Sequence, residues 1–179
     1  MSGHNKWAQI KHKKAITDAK KSKIFSKLVR FISVEARLAK GDKNTPGLRA
    51  AIEKARKVNI PSENIERAIK KASEPGTSME TVIYEAYGPG GVGIIINSLT
   101  DSKNRTAQNV KHILAKNNCS LGSMGSVAWS FDKEKTAEGI IWKPNTYVPT
   151  SNTDLELLDK LVDKLEENDD IQDVYTNAE

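Results

Sequence analysis

A single cysteine, Cys119, stands in a chain of 179 residues. No internal disulfide can form, and one unpaired thiol fits a reducing cytoplasm, the expected location. Long apolar runs are also missing. The longest, Val92 to Ile96, has the length of a strand, so a membrane partner is not expected. The first residues hold no apolar stretch, which argues against a secretory signal, and a Ser-poor, basic start that runs straight into patterned sequence argues against a transit peptide. His4, His12 and His112 have no thiols or acids at ligand spacing, so neither a metal nor another cofactor is expected. Nucleophile–base motifs, a phosphate-cradling GxxxxGK[ST] loop and HExxH are all missing, so an enzyme is not expected either.

Negative charge is scarce at the start. The first thirty residues, MSGHNKWAQIKHKKAITDAKKSKIFSKLVR, contain eight lysines, an arginine, two histidines and one acid, Asp18. Residues 1–78 hold 19 Lys and Arg against 7 Asp and Glu, a net +12, whereas residues 79–179 hold 9 against 16, a net −7. Solvated faces ordinarily mix signs. A basic module joined to an acidic one points to a nucleic-acid or ribosome partner for the first. The plainer alternative is a solvated helix surface that associates with the acidic half. With 37% hydrophobic and 28% charged residues the chain is globular, and its length suits one ordinary domain or two small ones.

The period of the apolar residues divides the chain at the same place as the charge. From Ile16 to Ala39 there is no Gly or Pro, and Ile24, Phe25, Leu28, Val29, Ile32 and Ala36 form one helical face. Gly41 is placed to end that helix. Thr45-Pro46 reads as a cap and first turn before Leu48, Ile52 and Ala55, and Pro61-Ser62 opens a helix carrying Ile65, Ala68 and Ile69. SEPGTS (73–78) marks a linker. Beyond it the period becomes two. Val82, Tyr84 and Ala86 alternate, GPGG (88–91) predicts a hairpin turn, and VGIIINSL (92–99) the return strand. A helix is expected over 102–117, a strand over 126–131 with Val127, Trp129 and Phe131 on one face, a helix over 154–167 and a last strand over 171–177; GIIW (139–142) is a candidate edge strand. The expected fold class is α+β: residues 1–78 a basic nucleic-acid-binding domain of three to four helices, and residues 79–179 an acidic antiparallel sandwich with two helices on one sheet face. No heptad zipper and no leftover apolar stripe suggests a dimer, so a monomer is expected. Acids near the hairpin have no spacing that would define a magnesium site.

Lys13, Lys20, Lys23, Lys27, Arg30 and Arg37 fall within about 120° of one another on a helical wheel, clear of the apolar stripe. Few acids lie at pairing distance along them. Lys6, Lys11, His12 and Lys14 extend this ridge toward the N-terminus, and His4 is a further donor for phosphate. Trp7 either stacks on an exposed base or packs on the helical core. Gly88, Gly90 and Gly91 allow close backbone approach to a partner, although hairpin geometry alone explains them. Asn104 and Arg105 lie near a helix start, where a phosphate contact and a capping role are both open.

GHNKW (3–7), IKHKKAITDAKKSKIF (10–25), YEAYGPGGVGIII (84–96), LTDSKNRT (99–106) and LGSMGSVAWSF (121–131) together resemble the YebC/PmpR family, whose relatives include the mitochondrial translational activator of cytochrome oxidase subunit I. The resemblance implies a helical N-terminal domain followed by α+β domains. It also implies either a DNA-binding transcriptional regulator or a ribosome-associated translation factor. One departure stands out. Members usually carry a third, ferredoxin-like domain after the counterpart of SVAWSF, whereas here EGIIWKPNTYVPT (138–150) follows within a few residues and resembles the exit from that domain. The chain therefore resembles a short form with the third domain missing. A ridge rich in Lys, with almost no Asn or Gln to read base edges, favours RNA or the ribosome over duplex DNA, which is the alternative.

Overall fold

The computed structural model describes residues 18–72, 78–136 and 139–179, with side chains described at 24–72, 78–135 and 140–179. The chain divides into two compact units, one helical, the other built mainly from Thr81–Glu134 and Ile141–Glu179. The expected linker lies almost wholly outside the described residues.

The helical unit contains α1 (Asp18–Leu38), α2 (Pro46–Lys57) and α3 (Ser62–Ala72). Its core is the stripe expected from the 3.6-residue period: Leu28, Ile32 and Ala36 of α1 meet Leu48, Ala51, Ile52 and Ala55 of α2 and Ile65, Ala68 and Ile69 of α3. The chain leaves α1 through two left-handed residues, Lys40 and Gly41, and the Gly41 amide closes the end by donating to Ala36 O at 2.8 Å. Thr45 occupies the cap position of α2, but its hydroxyl donates back to Asp42 O instead of accepting from the helix.

The second unit has a four-stranded sheet in the order β3-β1-β2-β6: β3 is Ser120–Leu121, β1 Glu80–Tyr87, β2 Gly93–Thr100 and β6 Ile171–Thr176. β2 is central and buried on both faces, which accounts for its unbroken apolar run. Ile94 and Ile96 face α4 (Lys103–Lys116) and α5 (Asn152–Glu166), joining Val110, Leu114, Leu158, Leu161, Val162 and Leu165 in one core. Ile95 points the other way, into a smaller cluster with Val127 and Phe131, against which Trp142 and Tyr175 pack. β6 runs antiparallel to β2, with Ile95 opposite Tyr175 and a register shift at Asn97/Ser98.

Two expectations need correction. Residues 126–131 do not form a strand. Ala128–Ser130 is a short 3₁₀ turn, so Val127 and Phe131 are buried while Trp129 is 67% exposed. The strand paired with β1 at this edge is the short β3, Ala86 opposite Leu121. GIIW does lie in a strand, β5 (Gly139–Pro144), but among the described residues β5 pairs with β4 (Phe131–Thr136) in a separate two-stranded sheet.

The GPGG turn is a 3₁₀ turn at Pro89–Gly91 with φ of 70° at Gly90 and 79° at Gly91, as a chain reversal there demands. Gly93 is fixed by a different constraint. A Cβ there would lie 2.7 Å from Val127 Cγ1 and 3.3 Å from Asn177 Oδ1, and the Gly93 amide donates to that Oδ1 at 2.7 Å. Gly93→Ala is expected to cost about 1–3 kcal/mol through overpacking, read as a lowered melting temperature. An unchanged value would mean that Val127 yields at no cost.

Candidate nucleic-acid interface

The cationic ridge begins with helix geometry. α1 carries Lys27, Arg30 and Arg37 on the side turned from its buried stripe, because residues three and seven apart return to one face. Lys27, Arg30 and Arg37 are half-buried, and each also takes part in an interaction within the chain. His4, Lys6, Trp7, Lys11, His12, Lys13 and Lys14 lie outside the described residues, as do the side chains of Lys20 and Lys23.

The structure adds cations that the ridge pattern missed. Lys54, Arg56 and Lys57 end α2, and Lys70 and Lys71 end α3, all exposed. Each group complements the negative end of its helix dipole, a role that needs no ligand. Their signal in sequence was the net charge of the whole segment, not a periodic face. Lys54 takes part in a further interaction within the chain, Lys43 pairs with Glu66 at 2.6 Å and Arg49 with Glu53 at 3.8 Å.

The candidate contacts of the second unit have structural occupations. Arg105 reaches Asp101 at 2.6 Å and the buried Asp170 at 3.1 Å, and these two carboxylates raise its pKa further. A phosphate would have to displace them. Asn104 is exposed in the first turn of α4. In the GPGG turn, a Cβ on Gly88 would come 2.8 Å from Ile94 Cδ1, and one on Gly90 3.2 Å from Asp154 Oδ2. Packing and turn geometry thus account for both glycines; Gly91 has open space and only its φ to explain it.

A feature not singled out in the sequence lies at the β1–β3 edge. Glu85, 7% exposed, turns its carboxylate into the loop after β3 and accepts from the amides of Gly125 at 2.6 Å, Val127 at 2.7 Å and Ala128 at 2.8 Å. Burial, the largest influence, pushes its pKa up, and the three amides together more than reverse that, leaving it below the ordinary value. The Glu85 carbonyl also accepts from Gly122 N at 2.7 Å. No local pattern could reveal a clasp that joins residues forty apart.

Among the described residues no cluster of His, Cys, Asp and Glu could hold a metal ion, and no helix is long and apolar enough to cross a membrane. Residues 5–75 match the family model described as the TACO1/YebC protein N-terminal domain, and residues 79–138 and 133–178 match that of the TACO1/YebC second and third domain. A probable transcriptional regulatory protein of Fervidobacterium nodosum is 42% identical over 235 positions, covering 99% of this chain and 93% of that protein. One from Thermotoga petrophila is 55% identical over 141 positions, covering 77% and 56%. The crystal structure of a conserved hypothetical protein from Aquifex aeolicus superposes with a TM-score of 0.87 at 35% identity, covering 98% of this chain and 97% of that one. The Fervidobacterium alignment is longer than this chain, 235 positions against 179 residues, so at least 56 positions face a gap here. The two segments matched by the second family model meet at 133–138, around the passage from β4 to β5.

Proposed function

This chain belongs to the TACO1/YebC family, and we propose that it is a nucleic-acid-binding regulator of gene expression whose target is structured RNA of the ribosome. The observation that carries this reading is the segregation of charge, +12 in residues 1–78 against −7 in the remainder. Phosphate is the natural counter-charge, because each neutralised phosphate releases a condensed counterion. The choice of RNA rests on side-chain chemistry. α1 contains no Asn or Gln, which with Arg are the side chains that discriminate base edges in the major groove. Lysines along a packed helix give phosphate affinity with little sequence preference. In this reading residues 1–78 are the binding domain, residues 79–179 a separate acidic domain, and the protein works in the cytoplasm as a monomer without catalytic chemistry or cofactor.

The second reading is a DNA-binding transcriptional regulator, favoured by the names of the relatives in Fervidobacterium and Thermotoga. Sedimentation of a cell lysate with and without RNase, beside a salt-matched assay on promoter DNA, separates the two. Comigration with ribosomes that high salt abolishes supports the RNA reading. Exclusion from ribosomal fractions, with promoter binding about 1,000-fold above non-specific DNA, would replace it by the DNA reading.

The same chemistry predicts the behaviour of Lys27→Ala and Arg30→Ala. Each is expected to weaken binding to all sequences alike and to reduce the log–log salt slope by about 0.7 on single strands, or about 0.9 on a duplex. A loss confined to one sequence would mark that residue as a base reader.

A further inference from the structure

The loop from Leu121 to Trp129 is held far more firmly than a surface connection needs. Besides the clasp on Glu85, the Ser126 carbonyl accepts from Tyr87 Oη at 3.1 Å and from Trp129 Nε1 at 2.9 Å. Gly122 leaves the room this requires, since a Cβ there would meet Ser126 Oγ at 2.5 Å and Tyr87 Cε2 at 3.3 Å. Yet what the loop displays is apolar and uncovered: Met124 is 98% exposed, Trp129 67%, Tyr87 41% and Leu121 38%. A buried carboxylate is costly to maintain, and here it immobilises a loop whose tip packs against almost nothing. Binding surfaces gain affinity from such preorganisation because less entropy is lost on contact.

We propose that this loop is a second nucleic-acid contact, where unpaired RNA bases stack on Trp129 and Tyr87 and against the Met124 thioether. The proposal rests on the RNA reading above and adds a base-stacking site to it. Two observations select a base over a protein partner. The polar handles by which Tyr and Trp can bond a protein partner are engaged inside the loop here, since Tyr87 Oη and Trp129 Nε1 both donate to the Ser126 carbonyl. In addition, residues 117–131 contain no Asp, Glu, Lys, Arg or His, although 28% of the chain is Asp, Glu, Lys or Arg. Within an acidic unit, this stretch adds no charge of its own, and the Glu85 carboxylate beneath it is buried and held by three amides. Stacking tolerates any base, which matches a basic domain that grips phosphate without reading sequence.

The test measures binding of the full-length protein to a labelled oligouridylate and to an RNA duplex of equal length, with ultraviolet cross-links mapped by mass spectrometry. Trp129→Ala and Met124→Ser alter exposed side chains, so the fold is expected to survive, and a thermal melt verifies this. Trp129→Ala is expected to weaken oligouridylate binding about tenfold, to leave duplex binding and the salt slope unchanged, and to remove cross-links from peptides containing residues 121–131. Met124→Ser follows in the same direction with a smaller loss. If wild-type protein binds RNA and Trp129→Ala binds oligouridylate equally well, the stacking site is refuted and the basic domain stands alone. Cross-linking of residues 121–131 to another protein only, and never to RNA, refutes the site in the same way. If wild-type protein binds neither RNA, the functional reading and this site fall together.

Discussion

Asp170→Ala is expected to destabilise the α+β unit by about 1–3 kcal/mol, the cost of leaving a buried donor without its acceptor. Asp170 is 3% exposed at the approach to β6. Its carboxylate takes the Thr106 hydroxyl at 2.7 Å and the Arg105 guanidinium at 3.1 Å, while its backbone carbonyl accepts from Leu99 N at 2.7 Å. Thr106 is fully buried, and its hydroxyl also lies 2.8 Å from that of Thr100, which in turn accepts from Ser102 N at 2.9 Å. Thr106 has one proton to give, and a carboxylate can only accept, so Thr100 supplies the proton between the two threonines. The donations then run one way, from the Ser102 amide to Asp170, and this chain ties the end of β2, the first turn of α4 and the start of β6. Alanine at 170 leaves the Thr106 hydroxyl buried without its acceptor. Asp170→Asn keeps the shape and an acceptor, and is expected to lose less. Urea unfolding followed by tryptophan fluorescence, to which Trp129 and Trp142 of this unit contribute, measures both. A loss below about 1 kcal/mol for the alanine variant would show that the network matters no more than a surface pair.

Glu85→Ala is expected to cost about 2–3 kcal/mol at neutral pH, since hydrogen bonds to a charged group are the stronger kind and burial of the charge offsets part of their gain. The loss should come with release of the 121–129 loop, seen as faster hydrogen exchange at Gly125, Val127 and Ala128, whose amides the carboxylate holds. Acid carries a second signature. The carboxyl is held below its ordinary value in the folded protein. Its ionised form therefore contributes stability that is present above the unfolded value of about 4.3 and disappears as pH falls through the lower folded value. The stability difference between wild type and Glu85→Gln is accordingly expected to shrink below about pH 4. A difference that stayed constant or grew there would show that the charge on Glu85 is not what holds the loop.

The two halves of the molecule differ in how much of them could be read in advance. In the helical unit, one stripe of Leu28, Ile32 and Ala36 and its counterparts in α2 and α3 account for the core, because a helix buries the face that its own repeat defines. Placing the cations was harder. Spacing locates Lys27, Arg30 and Arg37 on one side of α1, but their interactions within the chain depend on what packs beside them. In the second unit, the apolar run of β2, the GPGG turn and the helix α5 were all legible, since each depends on neighbours in sequence.

What the sequence by itself determined is therefore local and periodic: the helices, the β1–β2 hairpin, the last strand, the opposite charge of the two halves and the family. Tertiary structure decided whatever depends on partners far along the chain. Residues 126–131 alternate as a strand should, yet the Glu85 carboxylate, forty-two residues before Val127, captures the very amides that a strand would offer to a neighbour. The stretch turns instead, and Trp129 leaves the face it was expected to share with Val127 and Phe131 for the surface. Arg105 reads in sequence as a residue near a helix start, open to a phosphate contact or a capping role. Asp170, sixty-five residues later, claims it. A hydrogen bond or ion pair across such distances leaves no repeat in the sequence, because only the fold brings its two ends together.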